Sequence, residues 1–408
     1  MAEAKNKRVF VAMSGGVDSS VTAALLKQQG YNVCGIHIKM WSDPEIPCHF
    51  KEDRYEAMRV AAVLDIPIKT WDLTREYKKE VVDYMVREFK AGRTPNPDVM
   101  CNKHIKFGVF LKKALERGAD FVATGHYVRL QHQGIILSTF AEPVLEQSEG
   151  LSVNSVKDPM PTGRQVRDSS VAELTLSLSN GLSQNDNNFL LQAKDLNKDQ
   201  SYFLWTLTQD QLKHCLFPIG DYIKPDVRKL AKKFKLPNAD KKDSQGICFI
   251  GEINLREFLQ KYIKSKPGKI ITTGGKIVGD HIGLQFYTIG QRHGINVGGG
   301  IPFYVVKKDF KTNKLIVAEG PYDKKLFSKK LIATDINWIS GTRPKFPLKC
   351  LARIRYRQPL QKCVIKLQLT THMLQAVFAT PQRAVTEGQS IVFYRGQEML
   401  GGGVIAGD

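Results

Sequence analysis

Along the first third of the chain, apolar residues come in short continuous runs. Between those runs they recur every three to four positions. Val9-Phe10-Val11-Ala12, Val33-Cys34-Gly35-Ile36-His37-Ile38 and Phe121-Val122-Ala123-Thr124 are runs of the kind a strand buried on both faces requires. Residues 19–28, 53–64, 77–90 and 106–117 carry the helical spacing, and Gly30, Gly92 and Gly118 stand where three of these helices would stop. Alternating strands and helices predict crossover connections, and so an α/β fold with a doubly wound parallel sheet. Ligands of such sheets bind beyond the carboxyl ends of the strands, here close to Gly15, Ile38 and Gly125.

The pattern then changes twice. Residues 132–188 hold no sustained period, are rich in Ser, Asn and Gln, and include Pro143, Pro159 and Pro161. They are expected to form a disordered, dispensable surface insertion. Order resumes at Leu190, with a helix expected to start at Lys198 and others over 209–215 and 225–234. From Gly268 the chain shifts to short alternating runs, 270–272, 303–306, 314–318, 350–356, 363–369 and 391–394, broken by turn residues. These predict a C-terminal β-barrel or sandwich. The expected division is a nucleotide-binding domain over 1–210, a small central domain over 211–285 and a β domain over 286–408.

Composition adds a partner. The chain has 408 residues and a formal net charge of +20, which favours a polyanion, most simply nucleic acid. The 132–188 stretch is net −4, so the rest is more basic still. No apolar run is long enough to span a bilayer, and Met1–Arg8 is polar with no apolar stretch, so neither a membrane nor a secretory signal is expected. Seven cysteines at irregular spacing suit reduced thiols in a cytosol.

Chemistry concentrates first at Ala12-Met13-Ser14-Gly15-Gly16-Val17-Asp18-Ser19-Ser20. The two glycines let backbone N–H groups approach an anion, the serines add hydroxyls, and a helix N-terminus follows. Asp18 among phosphate donors makes sense if a cation such as Mg2+ lies between them. No Gly-Lys-Ser/Thr follows, so the turn is not a Walker A loop. It resembles the SGGxDS PP-loop of ATP pyrophosphatases. Gly125-His126-Tyr127, at a strand end, is expected to close over adenine or ribose.

Two cysteines stand in basic surroundings. Cys101 follows Pro95, Pro97 and Asp98 in what reads as a rigid loop, with Lys103, His104 and Lys106 nearby to favour the thiolate. Asp98 is placed to orient or deprotonate a substrate group. Cys101 reads equally as a small buried apolar residue. Cys248 follows Lys241, Lys242 and Asp243, and with Cys101 suggests a redox pair. Cys34, Cys215, Cys350 and Cys363 lie in apolar runs and read as core, while Cys48 and His49 offer too few ligands for a structural metal. Lys198-Asp199-Gln200 and Arg353, Arg355 and Arg357, which alternate along an expected strand with Tyr356 between them, are candidate RNA contacts.

Taken together, SGGVDSS, GRTPNPDxxCNxxIKF, ATGHYxR, NKDQSYFL, KKDSQGICFIGE, YTIGQRxG and RYRQ occur in that order and cover nearly the whole chain outside the insertion. The set resembles the tRNA-specific 2-thiouridylase family. That resemblance implies a PP-loop catalytic domain, a central domain and a C-terminal β-barrel. It also implies ATP and Mg2+, adenylation of the wobble uridine O2 in Lys, Glu and Gln tRNAs, and sulfur delivery from a cysteine persulfide supplied by a desulfurase or relay protein. By the same resemblance, Ala12, Met13, Ser14, Gly15, Gly16, Val17, Asp18, Ser19, Ile38 and Gly125 would hold ATP. Cys248 would carry sulfur, Cys101 would attack or resolve it, and Asp98 would handle the proton. Asn96, Pro97 and Asp98 would meet the base, and Lys198, Asp199, Gln200, Arg355 and Tyr356 the tRNA. A different PP-loop enzyme acting on a small substrate, or a lapsed tRNA-binding protein, are the competing readings.

Overall fold

The structure is a computed structural model that describes residues 6–43, 50–132, 188–242, 255–295, 297–298, 300–368 and 373–407. Cys248, Cys48, His49 and the interior of the expected insertion lie outside the described residues.

In chain order the strands begin with β1 (Arg8–Ala12), β2 (Asn32–Lys39), β3 (Ile68–Asp72), β4 (Phe121–Ala123), β5 (Val128–His132), β6 (Asn188–Gln192) and β7 (Cys215–Leu216). The first sheet runs β3-β2-β1-β4-β7 and every pairing in it is parallel. Its continuous apolar runs serve two cores. Phe10, Ile36 and Val122 pack into one, while Val9, Val11, Val33 and Ala123 pack into the other. Helix α1 (Val17–Gln28) leaves the glycine turn, and α2 (Phe50–Val63) follows β2. Cys215, expected to end a helix, instead forms the β7 edge, because the helix stops at Leu212 and the chain turns into the sheet.

The second sheet holds β8 (Gly268–Thr272), β9 (Ile277–His281), β10 (Phe303–Asp309) and β11 (Lys314–Glu319) in the order β10-β11-β8-β9. The expected 285/286 boundary falls inside this sheet. The last strands are β12 (Phe327–Trp338), β13 (Leu348–Arg353), β14 (Gln361–Leu367), β15 (Leu374–Arg383), β16 (Ser390–Arg395) and β17 (Glu398–Ala406). They pair in the order β12-β15-β14-β13-β16-β17, and β12 also pairs with β17, which closes a six-stranded barrel. The barrel does not end the sheet, since β6 adds to β17, with Met399 opposite Leu190, and β5 lies beyond β6.

Cys350 and Cys363 are cross-strand partners on β13 and β14, with sulfurs 3.4 Å apart. Cys34 and Cys215 are buried, and burial pushes both thiols up.

Candidate active site

The glycine turn after β1 forms because its serines satisfy it locally. The Ser19 and Ser20 hydroxyls donate to the Gly16 carbonyl at 3.1 and 2.9 Å, and the Ser14 hydroxyl accepts from Gly16 N at 3.4 Å. Gly15 has φ +78°, and a Cβ there would lie 2.3 Å from the Asp53 carbonyl oxygen of α2. Only glycine fits that combination. At the end of β4, Gly125 passes so close to α1 that a Cβ would lie 2.7 Å from Ser19 N. The first turn of α1 thus keeps its unpaired N–H groups at the sheet's carboxyl edge, where an anion is held.

Support arrives from far along the chain. The Asn238 amide donates to the Gly15 carbonyl at 3.0 Å and to the Ser20 hydroxyl at 2.9 Å. Lys241 ties Asp53 to the turn at 2.7 Å. One Asp18 oxygen, Oδ1, accepts from the Lys224 ammonium at 2.7 Å and from the Tyr127 phenol at 2.8 Å. Tyr127 therefore faces the loop carboxylate. Lys224 and Asn238 stand in no motif that signals a site, and Lys241 opens the KKDSQGICFIGE stretch but in the sequence reads only as basic surroundings of Cys248. The lone positions of Lys224 and Asn238 gave no local pattern to read.

Asp98 and Cys101 are not in a loop. Asn96 caps a helix over Pro97–Met100, accepting from Val99 N at 3.3 Å, and the helix continues as a π-helical stretch over Cys101–Phe110. Proline at the first helical position suits this start, since its missing N–H has no partner to lose. The expected loop ends at Asn96, and the acid and thiol project from successive turns of a helix. Asp98 is largely buried, which pushes its carboxyl up, with the Lys106 ammonium pulling the other way. Cys101 is buried as well.

The preceding loop, 92–95, is held by the other sheets. Lys308 of β10 donates to the Gly92 and Tyr287 carbonyls, at 2.5 and 3.0 Å. The Gln389 amide donates to the Thr94 and Pro95 carbonyls, both at 2.9 Å.

His126, next to Gly125, is buried, and its pKa is held well below the usual value, first by burial and then by Lys106. A lysine ammonium can only donate, so in the 3.4 Å contact with Lys106 the imidazole Nε2 accepts. The ring is then the Nδ1–H tautomer, donating to Thr124 Oγ1 at 2.7 Å.

These groups surround one cavity of about 570 Å³. Ala12, Met13, Ser14, Gly16, Val17, Asp18 and Ser19 line one side, with Ile38, Met40 and Gly125 beside them. Asp98, Cys101, Lys106, Lys198, Gln200, Phe203, Lys242, Tyr356 and Arg357 line the cavity as well, and of these Arg357 is exposed. Met40 and Phe203 were not singled out in the sequence.

Three expected RNA contacts are placed otherwise. The Asp199 side chain is buried, pairs with Arg353 at 3.2 Å and accepts from Ser201 N and Ala193 N, so its carboxylate is spent on structure. Strand β13 stops at Arg353, so the three arginines share no exposed face. Arg353 is buried against Asp199, and Arg355 turns inward to donate to the Arg383 and Ala384 carbonyls. Arg357, with φ +62°, is exposed and lies over the Tyr356 ring.

Residues 7–252 match the family model described as the tRNA methyl transferase HUP domain. Residues 256–319 match its PRC-barrel domain, and 328–405 the aminomethyltransferase beta-barrel domain. The chain is 43% identical over 401 residues to the tRNA-specific 2-thiouridylase MnmA of Listeria monocytogenes, covering 98% of this chain and 94% of that one. It is 42% identical over 411 residues to the enzyme of the same name from Nitrosomonas europaea, covering 98% of both. The chain belongs to the tRNA-specific 2-thiouridylase family. The MnmA relatives thus span all three of its sheets, and the family's PP-loop stands where the cavity is deepest in hydroxyls and N–H groups.

Proposed function

We propose that the protein is a tRNA-uridine 2-sulfurtransferase, which activates the wobble uridine of Lys, Glu and Gln tRNAs with ATP and replaces its O2 by sulfur. The observation that carries this is the single cavity that the PP-loop lines together with Asp98 and Cys101, and with Lys198, Gln200, Tyr356 and Arg357. A small-substrate PP-loop enzyme has no need of a thiol in its nucleotide cavity or of a basic, aromatic lining.

The glycine turn and α1 hold the β- and γ-phosphates, and Ile38 and Met40 give the adenine an apolar wall. Among the described residues no cluster of three metal-ligating side chains exists. One carboxylate suits Mg2+, which binds through a carboxylate or two together with substrate phosphates. Asp18 fits, since only its Oδ1 is engaged by Lys224 and Tyr127. Bound there, the ion would offset the charge of the departing pyrophosphate.

Burial makes Asp98 a stronger base than a solvated carboxylate, so it is suited to take the uridine N3 proton. O2 then bonds to the α-phosphorus and pyrophosphate leaves. The terminal sulfur of a persulfide on Cys248 bonds to C2, and AMP departs with the oxygen. Cys101 attacks the sulfur bridge, leaving 2-thiouridine and a Cys101–Cys248 disulfide. A thiol reductant would first return the disulfide to two thiols, after which a cysteine desulfurase or sulfur relay in the cytoplasm would reload Cys248.

The test supplies the purified protein with ATP, Mg2+, a desulfurase with cysteine, and separate tRNA transcripts, followed by nucleoside mass spectrometry. We expect 2-thiouridine at the wobble position of Lys, Glu and Gln tRNAs only. Pyrophosphate release on a small substrate without tRNA, and no thiolated nucleoside, would overturn the reading.

A further inference from the structure

Of the cavity-lining cations that the proposed proton and sulfur steps leave without a use, Lys106 and Lys242, it is Lys106 that is hydrogen-bonded to the buried His126. It lies on the same helix as Cys101, lines the cavity, and donates one hydrogen to a histidine that burial keeps neutral. A neutral imidazole accepts from the ammonium without cancelling its charge. Through Thr124 the imidazole is itself fixed, at 2.7 Å, to the end of β4. The Thr124–His126–Lys106 chain therefore holds a full positive charge in place, where a carboxylate partner would have neutralised it. The carboxylate that feels it most directly is Asp98.

We propose that Lys106 is a catalytic residue of the adenylation step, its ammonium binding the α-phosphate between the PP-loop and Asp98. The inference rests on the functional reading above. The position follows from the cavity walls. The functional reading puts the outer phosphates at the glycine turn and the uridine beside Asp98 and Cys101, and Gly125, packed on the first turn of α1, lines the same cavity. The α-phosphorus must lie between the outer phosphates and the uridine, and Lys106, bonded to the residue after Gly125, borders that space. As O2 bonds to the α-phosphorus and the bond to the β-phosphate oxygen breaks, the electron pair leaves with pyrophosphate and the N3 proton goes to Asp98. The pentacoordinate phosphorus carries more negative charge on its equatorial oxygens than ATP does there, and a fixed cation stabilises that state most. The same charge helps AMP leave in the sulfur step.

The experiment compares Lys106→Gln, which can still donate to His126 but carries no charge, with Lys106→Arg, which keeps the charge. Equilibrium ATP binding, tRNA binding, melting temperature and tRNA-dependent pyrophosphate release are measured on each full-length protein. We expect Lys106→Gln to lower kcat for pyrophosphate release roughly 10²-fold or more, as for loss of one charge-stabilising group. ATP affinity should weaken several-fold, tRNA affinity and melting temperature should hold, and Lys106→Arg should recover at least a tenth of the rate. A Gln variant that melts normally with kcat within about threefold of the parent, or an Arg variant no better than Gln, would overturn the proposal. If the parent protein releases no pyrophosphate with tRNA, the functional reading fails. ATP affinity then decides on Lys106 alone, equal values for parent and Gln variant overturning its contact with the nucleotide.

Discussion

The glycine turn at Ser14–Ser20 and the wall around Asp199 use distance along the chain in opposite ways. In the turn, hydroxyls and carbonyls two to four residues apart satisfy each other. In the wall, Asp199 meets Arg353 at 3.2 Å, the Ser201 hydroxyl meets the Tyr394 phenol at 3.0 Å, and the Tyr202 phenol donates to the Ser390 carbonyl at 3.0 Å. The turn's own hydroxyl bonds are local, and Asn238 and Lys241 only brace it from afar. The wall exists only because the barrel is closed and docked. Chemistry at the phosphate end can therefore be spelled in nine consecutive residues, whereas the RNA-facing end is written in pieces.

The largest expected effect tests the wall. Arg353→Leu strands a buried carboxylate, and breaking a buried pair from one side costs about 3–5 kcal/mol. Urea unfolding should show that loss, and a change under about 1 kcal/mol would mean that Asp199 finds water or another partner. The turn should fail differently. Gly15→Ala places a Cβ 2.3 Å from the Asp53 carbonyl oxygen at φ +78°, so α2 must retreat. We expect about 1–3 kcal/mol of destabilisation together with loss of ATP binding. Retained nucleotide affinity in a folded variant would show that the turn tolerates what its geometry forbids.

These contrasts explain what was legible. The parallel sheet, its carboxyl-edge ligand site and the PP-loop follow from short-range patterns, namely buried runs, helical spacing and a Gly-Gly turn. The placement of Asp98 and Cys101 near that loop came from motif resemblance, and their helical setting was misread because two prolines suggest a loop when the second is a helix start. The side chains of Asp199 and Arg355 were expected to be exposed, and both turn inward, for a common reason. A charged residue in a polar stretch looks exposed unless its partner, 154 residues away for Asp199 and 28 for Arg355, is in view. Lys224 and Asn238 were missed because each acts singly, and the reach of Lys241 to the turn because its motif pointed only to Cys248.

A smaller effect concerns Lys308, which burial pushes down to about 8. An unfolded lysine titrates near 10.4, so between these values the unfolded chain binds more protons and stability rises with pH. The parent should gain on Lys308→Gln from pH 8 to 10, by up to about 2 kcal/mol, and parallel stability curves would remove Lys308 as the source. The smallest effects separate the arginines. Arg357→Ala should lower the salt dependence of tRNA binding by about one phosphate contact, whereas Arg355→Ala, whose guanidinium is spent on two backbone carbonyls, should leave the slope unchanged. The reverse result would restore Arg355 as an RNA contact.

The pairing of β6 with β17 sets a timetable. During synthesis the parallel sheet has all its strands once Leu216 has left the ribosome, and the glycine turn gains its braces once Lys224, Asn238 and Lys241 follow. β6 has to wait for Glu398–Ala406, the loop at Thr94 and Pro95 for Gln389, and Asp199 for Arg353. A nascent chain can therefore hold nucleotide long before it has a wall to receive RNA. The wall is complete only when β17 closes the barrel and pairs with β6.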